Sequence, residues 1–382
     1  KYKVYVTYHA LKSLIALSKR FIGKGALPGK ALEVLNDAVI AARDDHQKYV
    51  GDEHIRNAVS LKAHMDVSEI GGDEKKKLLQ LEDTLKANIM GQSESVEALV
   101  STLKRARLDI NTGKRPLGTF LFLGPTGVGK TYTAKVLAEE YFGSTDALIR
   151  IDMNEYSNED SVFGIIGDPN PGVTAEGFLT KQVQDKPFSL ILLDEIEKAH
   201  TAVLNLFLQI LDEGKLTDSR GVTTDFRNTI IIATSNAGAL FIRDFIKKNE
   251  SKSRDEFKAA LVDTIIKQKI FSPEFVNRFD EVILYYPLAV KEAIKVALLM
   301  LQSIVQEIEV KKGYKIKVEE DVVVEIVKEG YSVEFGAREM RRVILDIIEN
   351  FLAEYLLRKE VKRGDEIFIS HKDIMEMNLD KE

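Results

Sequence analysis

The run Gly124-Pro125-Thr126-Gly127-Val128-Gly129-Lys130-Thr131 fits the spacing G-x-x-x-x-G-K-[ST]. Glycines so placed let the backbone curl until successive N–H groups face one anionic group, and the lysine then meets the β- and γ-phosphates. The Thr131 hydroxyl is a hard oxygen of the kind Mg²⁺ takes, and Pro125 to Gly129 form the expected phosphate cradle. Further on, Leu190-Ile191-Leu192-Leu193-Asp194-Glu195 is an apolar run closing on two carboxylates. Asp194 is expected to bind Mg²⁺ through water, and Glu195 to polarise the water that attacks the γ-phosphate. Two adjacent acids at a strand end also suit a helix cap, but pairing with the glycine-rich loop favours the catalytic reading. Asn236, just after Thr229–Ser235, is expected to align the same water. Together these residues predict hydrolysis of ATP to ADP with Mg²⁺.

Residues with these roles must be held at the ends of strands. Thr119–Leu123, Leu148–Asp152, Leu190–Leu193, Thr229–Ser235 and Val282–Tyr286 are short apolar, β-branched runs with helical stretches between them. That pattern predicts an α/β fold, a parallel five-stranded sheet with helices on both faces. Tyr132–Tyr141 reads as the helix that follows the loop. Before the sheet, Pro28 suits a first helical turn, and Leu32, Leu35, Val39 and Ala42 recur at helical spacing. Glu53–Met65 reads as a second helix, Gly71–Gly72 as a break, and Ser93 as the cap of a helix carrying Val96, Leu99, Val100, Leu103 and Ile110. After Pro287 the chain turns helical again. Strands are expected at Lys315–Val318 and Glu366–Ser370, around a helix with Met340, Ile344, Ile347, Phe351 and Tyr355 on one face. Four units are therefore expected: 1–65, a small helical domain; 66–115, a helical linker; 116–286, the nucleotide domain; and 287–382, a smaller α+β lid.

Composition narrows the partners. The 382 residues carry Lys+Arg 54 against Asp+Glu 60, a net charge of −6, which gives no electrostatic reason to expect nucleic acid. Lys104, Arg105, Arg107, Lys114 and Arg115 form a basic cluster that reads as a solvated helix face. With no cysteine, disulfides and thiolate metal sites are excluded, and the six histidines lack metal-ligand spacing. No run is long and apolar enough for a membrane span, and a cytoplasmic location is expected. The chain begins at Lys1, which suggests a fragment of a longer protein.

Several longer runs resemble the Clp family of AAA+ ring motors, specifically the second ATPase module of its two-module members. They are Leu123–Thr131, Asp194–His200, Gly214–Asp218, Asp225–Thr229, Thr234–Asn236 and Ser272–Asp280. The resemblance implies that the run Ile89–Gln92 lies along the adenine, with Ile89 and Met90 among the nucleotide-binding residues. It implies that Asn236 senses the γ-phosphate and that Arg278 is an arginine finger serving a neighbouring subunit. Arg338, in Gly336-Ala337-Arg338, becomes a second sensor carried by the lid. For both arginines the alternative is a structural salt bridge. Residues 1–65 resemble the small domain that closes the first module. The implied function is an ATP-dependent protein unfoldase or remodelling chaperone, working as a homohexamer on a polypeptide substrate.

Two stretches depart from the family. The pore-loop region Gly167–Gly177 contains no aromatic residue, and Phe163 and Phe178 beside it read as core. Ala237–Gln268 carries no Gly-Phe pair of the kind that docks a peptidase, and Phe241, Ile242 and Phe245 read as a helix face, which leaves a peptidase partner open. The aromatic-free loop keeps a second function in view, a non-threading ATPase that switches one specific partner.

Overall fold

The computed structural model describes residues 4–374 apart from 23, 24, 26, 64–73, 109–113, 171–175, 248–253, 333, 334, 360 and 361. The expected Gly71–Gly72 break, Ile110 and the centre of the 167–177 loop lie outside the described residues, as does the Arg107 side chain.

The first elements are β1 (Tyr5–Val6), α1 (Tyr8–Phe21), α2 (Gly29–Asp44), β2 (Tyr49–Val50) and α3 (Asp52–Ala63). Thr7 caps α1 by accepting the Ala10 N–H, and β1 runs parallel to β2. The apolar face of α2 differs from the expected one. Ala31, Val34, Ala38 and Ala42 are buried, whereas Leu32 is 54% exposed. Small residues let α2 lie close against α1 and α3, and this contact outweighs the pull of the larger leucine. Pro28 stands just before the helix, not inside its first turn.

Helices α4 (Glu74–Asn88) and α5 (Ser93–Leu108) pack against each other and lead into the central sheet. Its strands are β3 (Gly118–Leu123), β4 (Leu148–Asp152), β5 (Leu190–Asp194), β8 (Ile230–Ser235) and β9 (Glu281–Leu284), all parallel, in the order β4-β5-β8-β3-β9. Alternation along the strands gives each face its own core. Phe120, Phe122, Leu190, Leu192, Ile230 and Ile232 join one apolar cluster with α4, α5 and the first helices. Leu121, Leu123, Ile191, Leu193, Ile231 and Ala233 join the other. Phe21 of α1 stacks on Phe188 at 4.2 Å, which anchors the N-terminal helices to the sheet. Truncating either ring removes one side of that contact, at a cost of about 3–5 kcal/mol for a core Phe→Ala change.

Between the strands lie α6 (Lys130–Phe142), α7 (Val162–Ile166), α8 (Phe178–Asp185), α9 (Thr201–Glu213), the hairpin of β6 (Lys215–Thr217) and β7 (Thr223–Asp225), α10 (Ala239–Lys247), α11 (Arg254–Lys267) and α12 (Pro273–Val276). Phe163 and Phe178 correct the core expectation, being 38% and 42% exposed where they flank the loop. In α10, Ile242 is fully buried and Phe241 and Phe245 lie against Phe257, so these residues do form a helix face.

The last unit comprises α13 (Val290–Lys312), β10 (Lys315–Val318), α14 (Glu320–Gly330), α15 (Met340–Arg358) and β11 (Glu366–Ile369), with β10 parallel to β11. It has its own core, in which α15 buries Met340, Ile344, Ile348, Phe351 and Leu352. Ile347 and Tyr355 sit at the edge of that face, partly buried. No helix among the described residues is long and apolar enough to cross a membrane.

Candidate nucleotide site

Side chains from three strand ends meet above the loop between β3 and α6. Lys130 opens α6 and is almost fully buried, at 7% exposure. Its Nζ donates to the carbonyls of Gly124 (2.6 Å) and Pro125 (2.7 Å) and to Asn236 Oδ1 (2.9 Å). Burial pulls its pKa down to about 8, against the opposing pull of Glu197, Asp194 and Glu195, while Arg338 adds to the lowering. A lysine so desolvated gains much from an anion placed beside it.

Asp194 ends β5 with both carboxylate oxygens engaged. Oδ1 accepts from Thr234 Oγ1 (2.6 Å) and Thr131 Oγ1 (3.2 Å), and Oδ2 accepts from Arg150 at 2.7 Å. Thr131 and Asp194 thus present adjacent hard oxygens, a donor set that fits Mg²⁺ bound partly through water. Among the described residues no group of three or more His, Asp or Glu could hold a metal alone.

Glu195 has φ 56 and ψ 51, left-handed for a residue with a side chain. This conformation costs roughly 1–2 kcal/mol per residue and recurs at functional sites. Its N–H donates to Thr234 Oγ1 (3.2 Å), and its Oε2 accepts from Asn154 Nδ2 at 2.9 Å. Asn236 is fixed from two sides. Its N–H donates to Glu197 Oε1 (3.0 Å), and its Oδ1 accepts from Thr126 Oγ1 (3.3 Å) as well as from Lys130.

A cavity of about 330 Å³ joins these groups, within the size range of small-ligand sites. Thr126, Gly127, Gly129, Lys130, Thr131, Asp194, Glu195, Asn236 and Arg338 all line it. Pro125 contributes its carbonyl to Lys130, and Val128 is buried behind the loop. The lid reaches the loop directly, because the Ala337 N–H donates to the Gly127 carbonyl at 3.0 Å. Gly127 has φ +74, and a Cβ there would sit 2.3 Å from the Phe335 carbonyl oxygen, so only glycine permits the approach.

Ile89 and Met90 lie apart from this cavity. They line a second one of about 550 Å³ with Tyr286, Pro287 and Glu292. Arg278 lines neither. Its Nε stands 3.0 Å from Asp212 Oδ2 and a terminal nitrogen 3.5 Å from Glu274, and the side chain remains partly exposed. Arg115 braces the same turn, donating to the carbonyls of Leu211 (2.9 Å) and Arg278 and to Asp280 Oδ1 (3.1 Å). Arg105 and Lys104 pair with Glu281 and Glu82, which accounts for much of the basic cluster as surface ion pairs. His200 is structural: its Nδ1 accepts the Ala202 N–H at the start of α9.

Arg150, Asn154, Glu197 and Thr234 were not expected as site residues. Thr234 belongs to the quoted run Thr234–Asn236 and Glu197 to Asp194–His200, so both were within reach. Arg150 and Asn154 carry no motif spacing. Their signal is positional, two residues before and two residues past the carboxyl end of β4, beside the carboxyl end of β5, where open α/β sheets place ligands.

Comparison with known proteins finds relatives of this architecture. A family model described as an AAA domain (Cdc48 subfamily) matches residues 115–282. A model of the C-terminal, D2-small domain of ClpB protein matches residues 288–369. The chaperone protein ClpB of Aquifex aeolicus (strain VF5) is 42% identical over 325 residues, covering 84% of this chain and 32% of that protein. The chloroplastic chaperone protein ClpC of Pisum sativum is 40% identical over 337 residues, 85% of this chain and 36% of its own. The chain thus spans about a third of the length of these curated relatives. Among solved structures, the S. cerevisiae Hsp104–ADP complex aligns with TM-score 0.80 and 32% identity, over 97% of this chain and 63% of that one. The closed-state reconstruction of Hsp104 with ATPγS and FITC casein aligns with TM-score 0.77 and 32% identity, over 96% and 63%.

Proposed function

The chain belongs, through residues 115–369, to the Clp family of AAA+ ATPases, and from that premise we propose that it serves an ATP-dependent protein unfoldase or remodelling chaperone. The observation that carries the proposal is the convergence of Lys130, Thr131, Asp194, Glu195 and Asn236 on one cavity that the lid closes with Arg338.

In this reading the cradle from Pro125 to Gly129 directs backbone N–H groups at the phosphates, and Lys130 supplies a fixed positive charge against the β- and γ-oxygens. Thr131 and Asp194 would hold Mg²⁺, which spreads the charge that develops on the transferred phosphoryl group. Glu195 takes the proton of the attacking water, and Asn236, held by Glu197 and Lys130, orients that water. Asn154 sets the direction of the Glu195 carboxylate. Arg338 brings guanidinium donors from the lid, so loss of the γ-phosphate is felt as a change in lid position. Ile89 and Met90 pack along the adenine in the second cavity. Arg278, remote from its own cavity, serves the site of a neighbouring copy, which requires a ring and supports a homohexamer as the working form.

The Hsp104 relative was seen with ATPγS and casein, and that pairing supports a polypeptide as the substrate here. The acid-rich charge balance favours protein over nucleic acid. The test is the ATPase rate against a permanently unfolded model protein, with Lys130→Ala and Glu195→Gln as controls. Stimulation that both substitutions abolish is the expected result. Basal hydrolysis with no stimulation at any substrate concentration would move the function to switching of one specific partner.

A further inference from the structure

Gln92 is a polar side chain buried to 2% exposure, and its amide is spent entirely on the backbone of distant segments. Its Nε2 donates to the Tyr286 carbonyl (2.7 Å) and the Val128 carbonyl (3.3 Å), and its Oε1 accepts the Tyr286 N–H (3.2 Å). Val128 lies in the phosphate loop. Tyr286 follows β9 and directly precedes Pro287, where the chain passes to the lid helix α13. One amide therefore ties three segments: the Ile89–Met90 wall of the second cavity, the phosphate loop and the connection to the lid.

The neighbours of Gln92 reinforce the tie. Gly91 has φ +72, and a Cβ on it would stand 2.8 Å from Leu288 and 2.9 Å from Glu292, so this loop lies directly on the start of the lid. Ser95 donates to the Leu284 carbonyl at the end of β9. A buried amide with all these bonds made is rigidifying, and leaving its backbone partners unpaired is costly. Through this one side chain the backbone of the phosphate loop is linked to that of Tyr286, so a shift of the loop or of the second cavity's wall pulls on Tyr286 as well.

The geometry points to Gln92 as a positioning residue that transmits occupancy of the two cavities to the hinge of the lid. This rests on the reading of those cavities as one nucleotide site, and it names the part that couples the site to lid movement. Arg338 senses from the lid side of the cleft; Gln92 acts from the opposite end, on the pivot.

The chain has no cysteine, so Lys135→Cys at an exposed position of α6 and Glu329→Cys at an exposed position of α14 give clean positions for a donor and acceptor dye. The probe is Mg-ADP, with affinity and the change in energy transfer at saturation both recorded. The parent should show a saturable change. In Gln92→Met, which keeps the length but makes none of the three bonds, the amplitude at saturation should fall at least twofold. Gln92→Glu keeps the acceptor for the Tyr286 N–H but sets a carboxylate against two carbonyls. Its amplitude should be low at pH 8 and recover towards pH 5.5, as protonation restores a donor. The same variant also serves if Gln92→Met does not fold. Full amplitude in Gln92→Met, or a full and pH-independent amplitude in Gln92→Glu, would overturn the assignment. So would a lowered melting temperature with parental amplitude, which marks a merely structural residue. Failure of the parent to bind Mg-ADP would instead overturn the reading of the cavities.

Discussion

The cleft at Lys130 and the corner at Arg278 use the same chemical groups in opposite ways. In the cleft, charges are buried and interlocked: Lys130 and Asp194 are under a tenth exposed, and each meets several fixed partners. At the corner, Arg278 is partly exposed and held by two carboxylates that are themselves open to solvent. Exposed pairs of that kind contribute about 0–1 kcal/mol, so the guanidinium is free to exchange partners. The brace beneath it is firmer, because Arg115 holds the Arg278 carbonyl and Asp280 ties the turn to Thr119 without engaging the guanidinium. In the proposed reading, one region holds an anion within the chain and the other offers a cation outside it.

Substitutions can break that contrast. Arg278→Ala should slow hydrolysis in the assembled oligomer by about 10³–10⁵, the range for arginine fingers in other NTPases. Nucleotide binding by dilute subunits should stay unchanged. An equal loss at dilutions where no oligomer exists would make Arg278 part of its own cleft. Glu195→Gln should lower kcat by about 10²–10⁴, the usual worth of a positioned general base, with binding retained. Turnover at the parental rate would remove the water-activating role from Glu195. Lys130→Ala should weaken Mg-ADP binding by about a hundredfold, the scale of one or two charge-assisted hydrogen bonds. Isothermal titration would read this directly.

A pH titration sharpens the same point. Lys130 titrates near pH 8 because burial disfavours its charge, and phosphate beside it favours the charged form. Binding above pH 8 therefore takes up a proton, and affinity should fall by up to about tenfold per pH unit there. A flat profile from pH 7 to 9.5 would contradict the buried-lysine account. The smallest effect is expected at Asn154. Asn154→Ala frees the Glu195 carboxylate and should change kcat by about three- to tenfold without altering affinity, the worth of one ordinary hydrogen bond.

Much of the sheet was legible in advance because its three inner strands, β3, β5 and β8, are mostly apolar runs buried along their whole length. The cleft was legible where its chemistry needs fixed spacing, from Gly124 to Thr131 and at Asp194–Glu195. Leu32 misled because helical periodicity fixes a face only approximately, and close packing of Ala31, Ala38 and Ala42 decided the rotation. Ser93 was expected as a cap, yet α5 already includes it, and Gln92 occupies the position before. Arg150 and Asn154 escaped notice as functional groups, and Gln92 was read only as part of the adenine-side run Ile89–Gln92, because tertiary folding alone assembles their contacts. Gln92 meets Tyr286 across 194 residues, a pairing that local spacing does not encode. Ile89 and Met90 came only from family resemblance, and they sit in a cavity of their own beside the hinge.

The most direct test mixes Glu195→Gln subunits, which keep Arg278, with Arg278→Ala subunits, which keep Glu195. If the cleft hydrolyses ATP with help from a neighbour's arginine, mixed assemblies contain intact composite sites, and their ATPase rate should exceed that of either parent alone. A rate no greater than the weighted average of the two parents, in mixtures shown to co-assemble, would contradict a site shared between subunits.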